Sequence, residues 1–126
     1  MTFLIEGDKR CPRITADFSR GTFEISGISL PENPYLYYQP FLDELDDYLK
    51  APCDLTVLSL KLEYFNTGSA LALRNIIQKL NVSLTLDSVL VKWYYETDDI
   101  DMLDSGDEFA TIFQNTRFEI IEVDEF

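Results

Sequence analysis

LTVLSLKLEYFNTGSALALRNIIQKL, residues 55–80 of the 126-residue chain, is the stretch whose reading decides the fold. Leu58, Leu60, Leu62 and Tyr64 share one face of a strand over 55–64. Leu55 and Val57 start the other face before Ser59, Lys61 and Glu63 take it over. Such a strand is central and covered by helices on one side. A polar elbow follows, Asn66-Thr67-Gly68-Ser69, and an amphipathic helix leaves it with Ala70, Leu73, Ile76, Ile77 and Leu80 on the buried side. Asn81 closes that helix. A hydroxyl at a strand-to-helix elbow sits where free backbone N–H groups and the helix dipole favour negative charge. The position suits a residue that gains a phosphate, or one that meets an acidic group on a partner. Asn66 or Thr67 also serves as an ordinary N-cap there, with Gly68 easing the turn, and capping is compatible with phosphorylation.

Downstream, Val89, Val91, Trp93 and Tyr95 alternate along a strand over 88–95, leaving Tyr94 as the exposed aromatic. Residues 55–95 therefore make a strand–helix–strand unit with parallel strands. The acidic segment 96–108 merges into a helix toward Phe113, and RFEIIEV (117–123) is a last strand. Upstream, residues 2–6 form a short leading strand. Ile14, Ala16 and Phe18, then Phe23 and Ile25, alternate on either side of Ser19-Arg20-Gly21, the pattern of an antiparallel β-hairpin. Asn33 caps the next helix with Pro34 at its first position. Tyr38, Phe41, Leu42, Leu45, Tyr48 and Leu49 mark its buried face. Pro40 predicts a kink or a late start, and Ala51-Pro52 ends the helix. The whole is a single α/β domain, residues 1–126: a mixed sheet with an N-terminal hairpin and helices mainly on one face.

Composition narrows the function. The formal net charge is −13, which repels nucleic acid and anionic membrane alike and favours a basic partner or basic groove. No apolar run is long enough to span a bilayer, and no signal peptide leads the chain, so a cytoplasmic location with free thiols is expected for Cys11 and Cys53. The chain contains no histidine, which removes the common zinc constellations and the usual general base. Asp99 and Asp101 would fill the first and third places of a calcium loop, but Leu103 falls where an oxygen ligand is needed. Asp98, Asp99, Asp101, Asp104, Asp107 and Glu108 read instead as a solvated helix start. No cofactor, no metal and no catalysis are expected.

The order hairpin, helix, strand, hydroxyl elbow, helix, strand resembles the STAS domains of anti-sigma factor antagonists. Lys61-Leu62-Glu63-Tyr64-Phe65-Asn66-Thr67-Gly68-Ser69, Pro31-Glu32-Asn33-Pro34-Tyr35, Trp93-Tyr94-Tyr95-Glu96 and Asp98-Asp99-Ile100-Asp101-Met102-Leu103 are similar to SiaC-type bacterial regulatory phosphoproteins. The resemblance spans about residues 12–123 and implies a non-enzymatic STAS-like switch. In it, a kinase of the histidine-kinase-like ATPase fold phosphorylates Thr67, and a metal-dependent PP2C-type phosphatase removes the phosphate. The unphosphorylated form binds an effector through Asn66, Thr67, Gly68 and Ser69. In the characterised branch that effector is a diguanylate cyclase, which links the family to cyclic-di-GMP signalling and biofilm behaviour. Ser69 is the next hydroxyl should Thr67 not be the acceptor. Two other readings of the elbow are a constitutive protein-binding adaptor and a small-ligand binding module, neither with a phosphate cycle.

Overall fold

The computed structural model describes residues 2–126. Six strands lie side by side in chain order: β1 (Thr2–Ile5), β2 (Arg13–Asp17), β3 (Thr22–Ser29), β4 (Thr56–Phe65), β5 (Val89–Glu96) and β6 (Arg117–Val123). The first three pair antiparallel, and β3 through β6 pair parallel. A helix bridges each parallel step: α1 (Pro34–Tyr48), α2 (Thr67–Ser83) and α3 (Ile100–Ile112). A short 3-10 turn, Leu86–Ser88, leads into β5.

Register makes the sheet one-sided. Ile5, Ile14, Ile25, Leu60, Trp93 and Ile120 are paired in sequence across all six strands. Phe3, Ala16, Phe23, Leu58, Val91 and Phe118 form a second such row. Paired residues project to the same side of a sheet, so these two rows make a continuous apolar floor. Leu4, Thr15, Glu24, Ser59, Lys92 and Glu119 form the row between them, on the side facing water. The three helices cover the apolar floor. Phe41 of α1 meets Phe23 and Phe3, with ring centroids 5.7 and 6.0 Å apart. Leu73, Ile76, Ile77 and Leu80 of α2 are buried, and Phe109 of α3 lies 5.2 Å from Trp93.

Three local expectations are corrected and one is narrowed. Tyr64 does not continue the buried face of β4. The β3–β4 register slips so that Gly27 pairs with Leu62 but Ile28 with Tyr64, leaving Glu63 as an extra residue. Such a bulge re-aims the side chains beyond it. Tyr64 turns out to 56 % exposure, and Phe65 turns in, 6.1 Å from Trp93. Pro40 lies inside one helical span that starts at Pro34, not at a late start. The N–H it lacks would have bonded the carbonyl of Leu36, an exposed residue. The second helix passes Asn81 and ends at Ser83, and the Asn81 side chain instead accepts bonds from the Asn115 N–H and the Thr116 hydroxyl. Tyr94 is only half-exposed, because Lys61 sits 5.1 Å above its ring while paired to Glu24 at 2.9 Å.

The acidic segment becomes helix almost from its start. Asp99 caps α3 by accepting the Met102 N–H at 3.1 Å, and Asp101, Asp104, Asp107 and Glu108 face solvent. The inner side carries Gly106, where a Cβ would come 2.6 Å from Trp93 Cδ1. The absent side chain lets α3 settle close enough for the Trp93 indole N–H to donate to the Met102 carbonyl at 3.0 Å.

Gly106→Ala is therefore expected to destabilise the fold. Overpacking of this kind costs about 1–3 kcal/mol, which exceeds the gain of about 1 kcal/mol in helix propensity over most of its range. Urea unfolding followed by the fluorescence of Trp93, the chain's one tryptophan, measures it. Unchanged stability would mean that the contact between α3 and Trp93 is slack.

Candidate functional site

The elbow follows β4 at Asn66, whose backbone is extended with φ −87° and ψ 177°. Its side-chain oxygen accepts the Ser69 N–H at 2.9 Å, and its carbonyl accepts the Ala70 N–H at 2.9 Å. Asn66 is the cap. Thr67 is the first helical residue and is exposed. Among the described residues, the N–H groups of Thr67 and Gly68 have no acceptor. They remain available to an anion, reinforced by the helix dipole. The elbow thus places a free hydroxyl beside two free donors.

Ser69, two residues on, is placed in the opposite way. It is fully buried, and its hydroxyl donates to the Ser29 carbonyl at 2.9 Å. The Ser29 hydroxyl donates to Ser69 Oγ at 2.8 Å and lies 2.6 Å from the Tyr38 hydroxyl. With the single Ser29 proton committed to Ser69, Tyr38 must be the donor in the last contact. Burial pushes the Tyr38 hydroxyl well above the ordinary tyrosine range, which keeps it neutral and able to donate. The Ser29 carbonyl also takes the Asn66 N–H at 3.3 Å. One residue at the end of β3 therefore ties α1, β4 and α2 together. Ser69 cannot offer its hydroxyl to a partner while this network stands, so of the two elbow hydroxyls only that of Thr67 is accessible.

The surroundings of Thr67 are partly apolar. All three helices start at the edge where the parallel strands end, each capped in the same way: Asn33 accepts from Leu36, Asn66 from Ser69 and Asp99 from Met102. Pro34 is so close to Gly68 that a Cβ there would lie 3.0 Å from the ring. Tyr35 and Leu36 on the first turn of α1, Ile100 on that of α3, and Tyr64 are all exposed. A groove of about 200 Å³ runs from Thr67 between α2 and α3, lined by Phe65, Leu71, Arg74, Glu108, Phe109 and Ile112 among others. Clefts beyond the carboxyl ends of parallel strands are the usual binding edge of open α/β sheets.

The acidic side chains do not converge. Among the described residues, no group of three or more His, Cys, Asp or Glu could hold a metal ion. Asp98 has left-handed backbone, with φ 75°, in the turn before α3. Sequence reasoning passed over Ser29 and read Tyr38 only as part of the buried face of its helix. A signal was present for Ser29: it shares inward parity with Phe23 and Ile25, and a hydroxyl in that place requires a buried partner.

The model of the SiaC family regulatory phosphoproteins matches residues 5–123. The chain belongs to the SiaC family. Over 106 residues it is 27 % identical to an uncharacterised protein of Pseudomonas aeruginosa strain UCBPP-PA14, covering 83 % of this chain and 84 % of that one. Its fold is similar to SiaC of Pseudomonas aeruginosa solved in complex with the diguanylate cyclase SiaD, whose activator it is. The TM-score is 0.88 and the identity 25 %, over 96 % of this chain and 99 % of the other. Apo-SiaC of the same organism superposes with a TM-score of 0.85 at 26 % identity, covering 96 % and 98 %. The mixed α/β architecture and the regulatory phosphoprotein class are those of the family.

Ser29→Ala is expected to lower stability by about 1–3 kcal/mol, since it leaves the buried Tyr38 hydroxyl without its acceptor. Tyr38→Phe added to it should cost less than the two single losses summed, because the orphaned group is then gone. Denaturant titration of the three variants checks this, and strict additivity would show that the hydroxyls act independently.

Proposed function

We propose that this family member is a non-enzymatic protein-binding switch set by phosphate on Thr67. A kinase of the histidine-kinase-like ATPase fold transfers the phosphate, a PP2C-type phosphatase removes it, and the unphosphorylated form binds the effector. The observation that carries the reading is the contrast at the elbow. Thr67 is exposed at the first helical position, whereas Ser69 is sealed by Ser29. A kinase reaches the one hydroxyl and not the other.

The physics gives the direction of the switch. A phosphate adds about −1.5 to −2 charges next to a helix N-terminus, where the free N–H groups stabilise it. Helix α2 therefore keeps its structure, and the change is felt by whatever lies against the elbow. The exposed apolar side chains around Thr67 suit a partner surface that a phosphate would have to desolvate. Phosphorylation releases the effector. Similarity to an activator of a diguanylate cyclase supports a cyclase as that effector, and a cytoplasmic site of action fits it. Asn66, Thr67 and Gly68 form the centre of the contact. ATP and metal ions belong to the kinase and phosphatase; this chain requires no cofactor. Among the described residues no helix is long and apolar enough to cross a membrane.

Thr67→Ala is expected to block phosphate incorporation, read by intact-mass spectrometry after incubation with kinase and ATP. Its stability should change by no more than about 0.5 kcal/mol, because Asn66 supplies the cap. Phosphate still arriving on the variant would move the site elsewhere. In calorimetric titration against the cyclase, Thr67→Ala should bind like the unmodified chain, Thr67→Glu more weakly, and the phosphorylated chain most weakly. Tighter binding by the phosphorylated form would overturn the release mechanism and make the phosphate a recognition element.

A further inference from the structure

We infer that Arg74 is the chain's own receptor for the Thr67 phosphate, and that their ion pair closes the groove between α2 and α3. The inference rests on Thr67 being the phosphorylated residue. Thr67 and Arg74 are seven positions apart on α2, two turns and about 10.5 Å of rise, so they stand on one stripe of the helix. Both line the same groove, with Leu71 between them. Helical side chains lean toward the N-terminus, which aims the long Arg74 side chain along the stripe at Thr67.

The guanidinium is also uncommitted. Among the described residues Arg74 makes no hydrogen bond or ion pair, whereas Arg20, Lys50, Lys61 and Lys79 are each held by a carboxylate. It is the one cation lining this groove, and the one carboxylate there is Glu108, across it on α3. In the unmodified chain Arg74 faces a hydroxyl at one end of the stripe and Glu108 opposite. A dianionic phosphate changes that balance. It offers three acceptor oxygens to a planar fork of donors, a geometry that a guanidinium meets with two parallel bonds. The side chain drawn toward it crosses Leu71, which is 57 % exposed, and covers the apolar lip of the groove. Phosphorylation then acts twice: it adds charge at the elbow and hides apolar surface beside it.

The full-length chain carrying phosphothreonine at position 67 tests this, made both with the kinase and by genetically encoded incorporation. Phosphorus NMR follows the second ionisation of the phosphate with pH, ordinarily near 6. A nearby cation favours the dianion, so the wild-type pKa should lie lower than in Arg74→Gln by about half a unit, the size set by an exposed pair. Arg74→Lys should fall between them, and Arg20→Gln, away from the groove, should match wild type. Methyl signals of Leu71 and Ile112 should shift on phosphorylation in wild type and much less in Arg74→Gln. Identical titrations for wild type and Arg74→Gln would overturn the pairing, and so would an equal shift in Arg20→Gln. Unmoved methyl signals in wild type would overturn the closure. Failure of the kinase to modify Thr67 would count against the phosphorylation reading alone, since the encoded phosphothreonine still reports on Arg74.

Discussion

The elbow depends on Ser29. Its carbonyl accepts from the Asn66 backbone and the Ser69 hydroxyl, and its own hydroxyl links Ser69 to Tyr38. Hydrogen bonds in a dry interior are expensive to leave unmade, so each partner is held to its place by the others. The consequence is positional. The start of α2 is fixed against the end of β3 and the second turn of α1, and Thr67 is presented at one defined point on the surface. A second set of buried hydroxyls serves the opposite edge of the sheet. Tyr48 at the end of α1 is 2.7 Å from Thr56 at the start of β4 and accepts the Cys53 N–H at 3.0 Å. Polar pairs clamp both ends of a layer that is apolar between them.

That layer explains why the three helix starts gather at one edge. Two rows of apolar side chains cross all six strands, so all three helices are drawn to the same side of the sheet. With β3 to β6 parallel, every crossover helix begins at the same edge. Three capped helix starts and the exposed side chains of their first turns collect there, and Thr67 lies among them. A surface with a net charge of −13 would be a poor general adhesive. At this edge a small apolar region borders the exposed Thr67 hydroxyl.

Parts of this were legible in the chain because they rest on local periodicity. The alternation of β4, the helical spacing after Ser69 and the Asn33-Pro34 helix start are each written within a dozen residues. The elbow's hydroxyls were legible too, as a break between two periods. The failures have one cause. Tyr64 leaves its predicted face because of a register slip against β3, and Asn81 passes from helix end to helix interior while binding residues 115 and 116. Each is settled by a neighbour distant in sequence.

By itself the sequence determined the class of the fold, the place of the elbow and the presence of two hydroxyls on it, since these follow from side-chain pattern and turn chemistry. Only the tertiary structure set the exposure of each hydroxyl. Thr67 and Ser69 are close to equivalent as residues at a helix start. What separates them is a strand end 40 positions upstream of Ser69, which supplies a carbonyl and a hydroxyl to one and nothing to the other. The same holds for Arg74 and Glu108, which come to share a groove only because α2 and α3 lie on the same side of the sheet. Exposure and partnership belong to the packed chain, because burial is a property of what surrounds a group and not of the group.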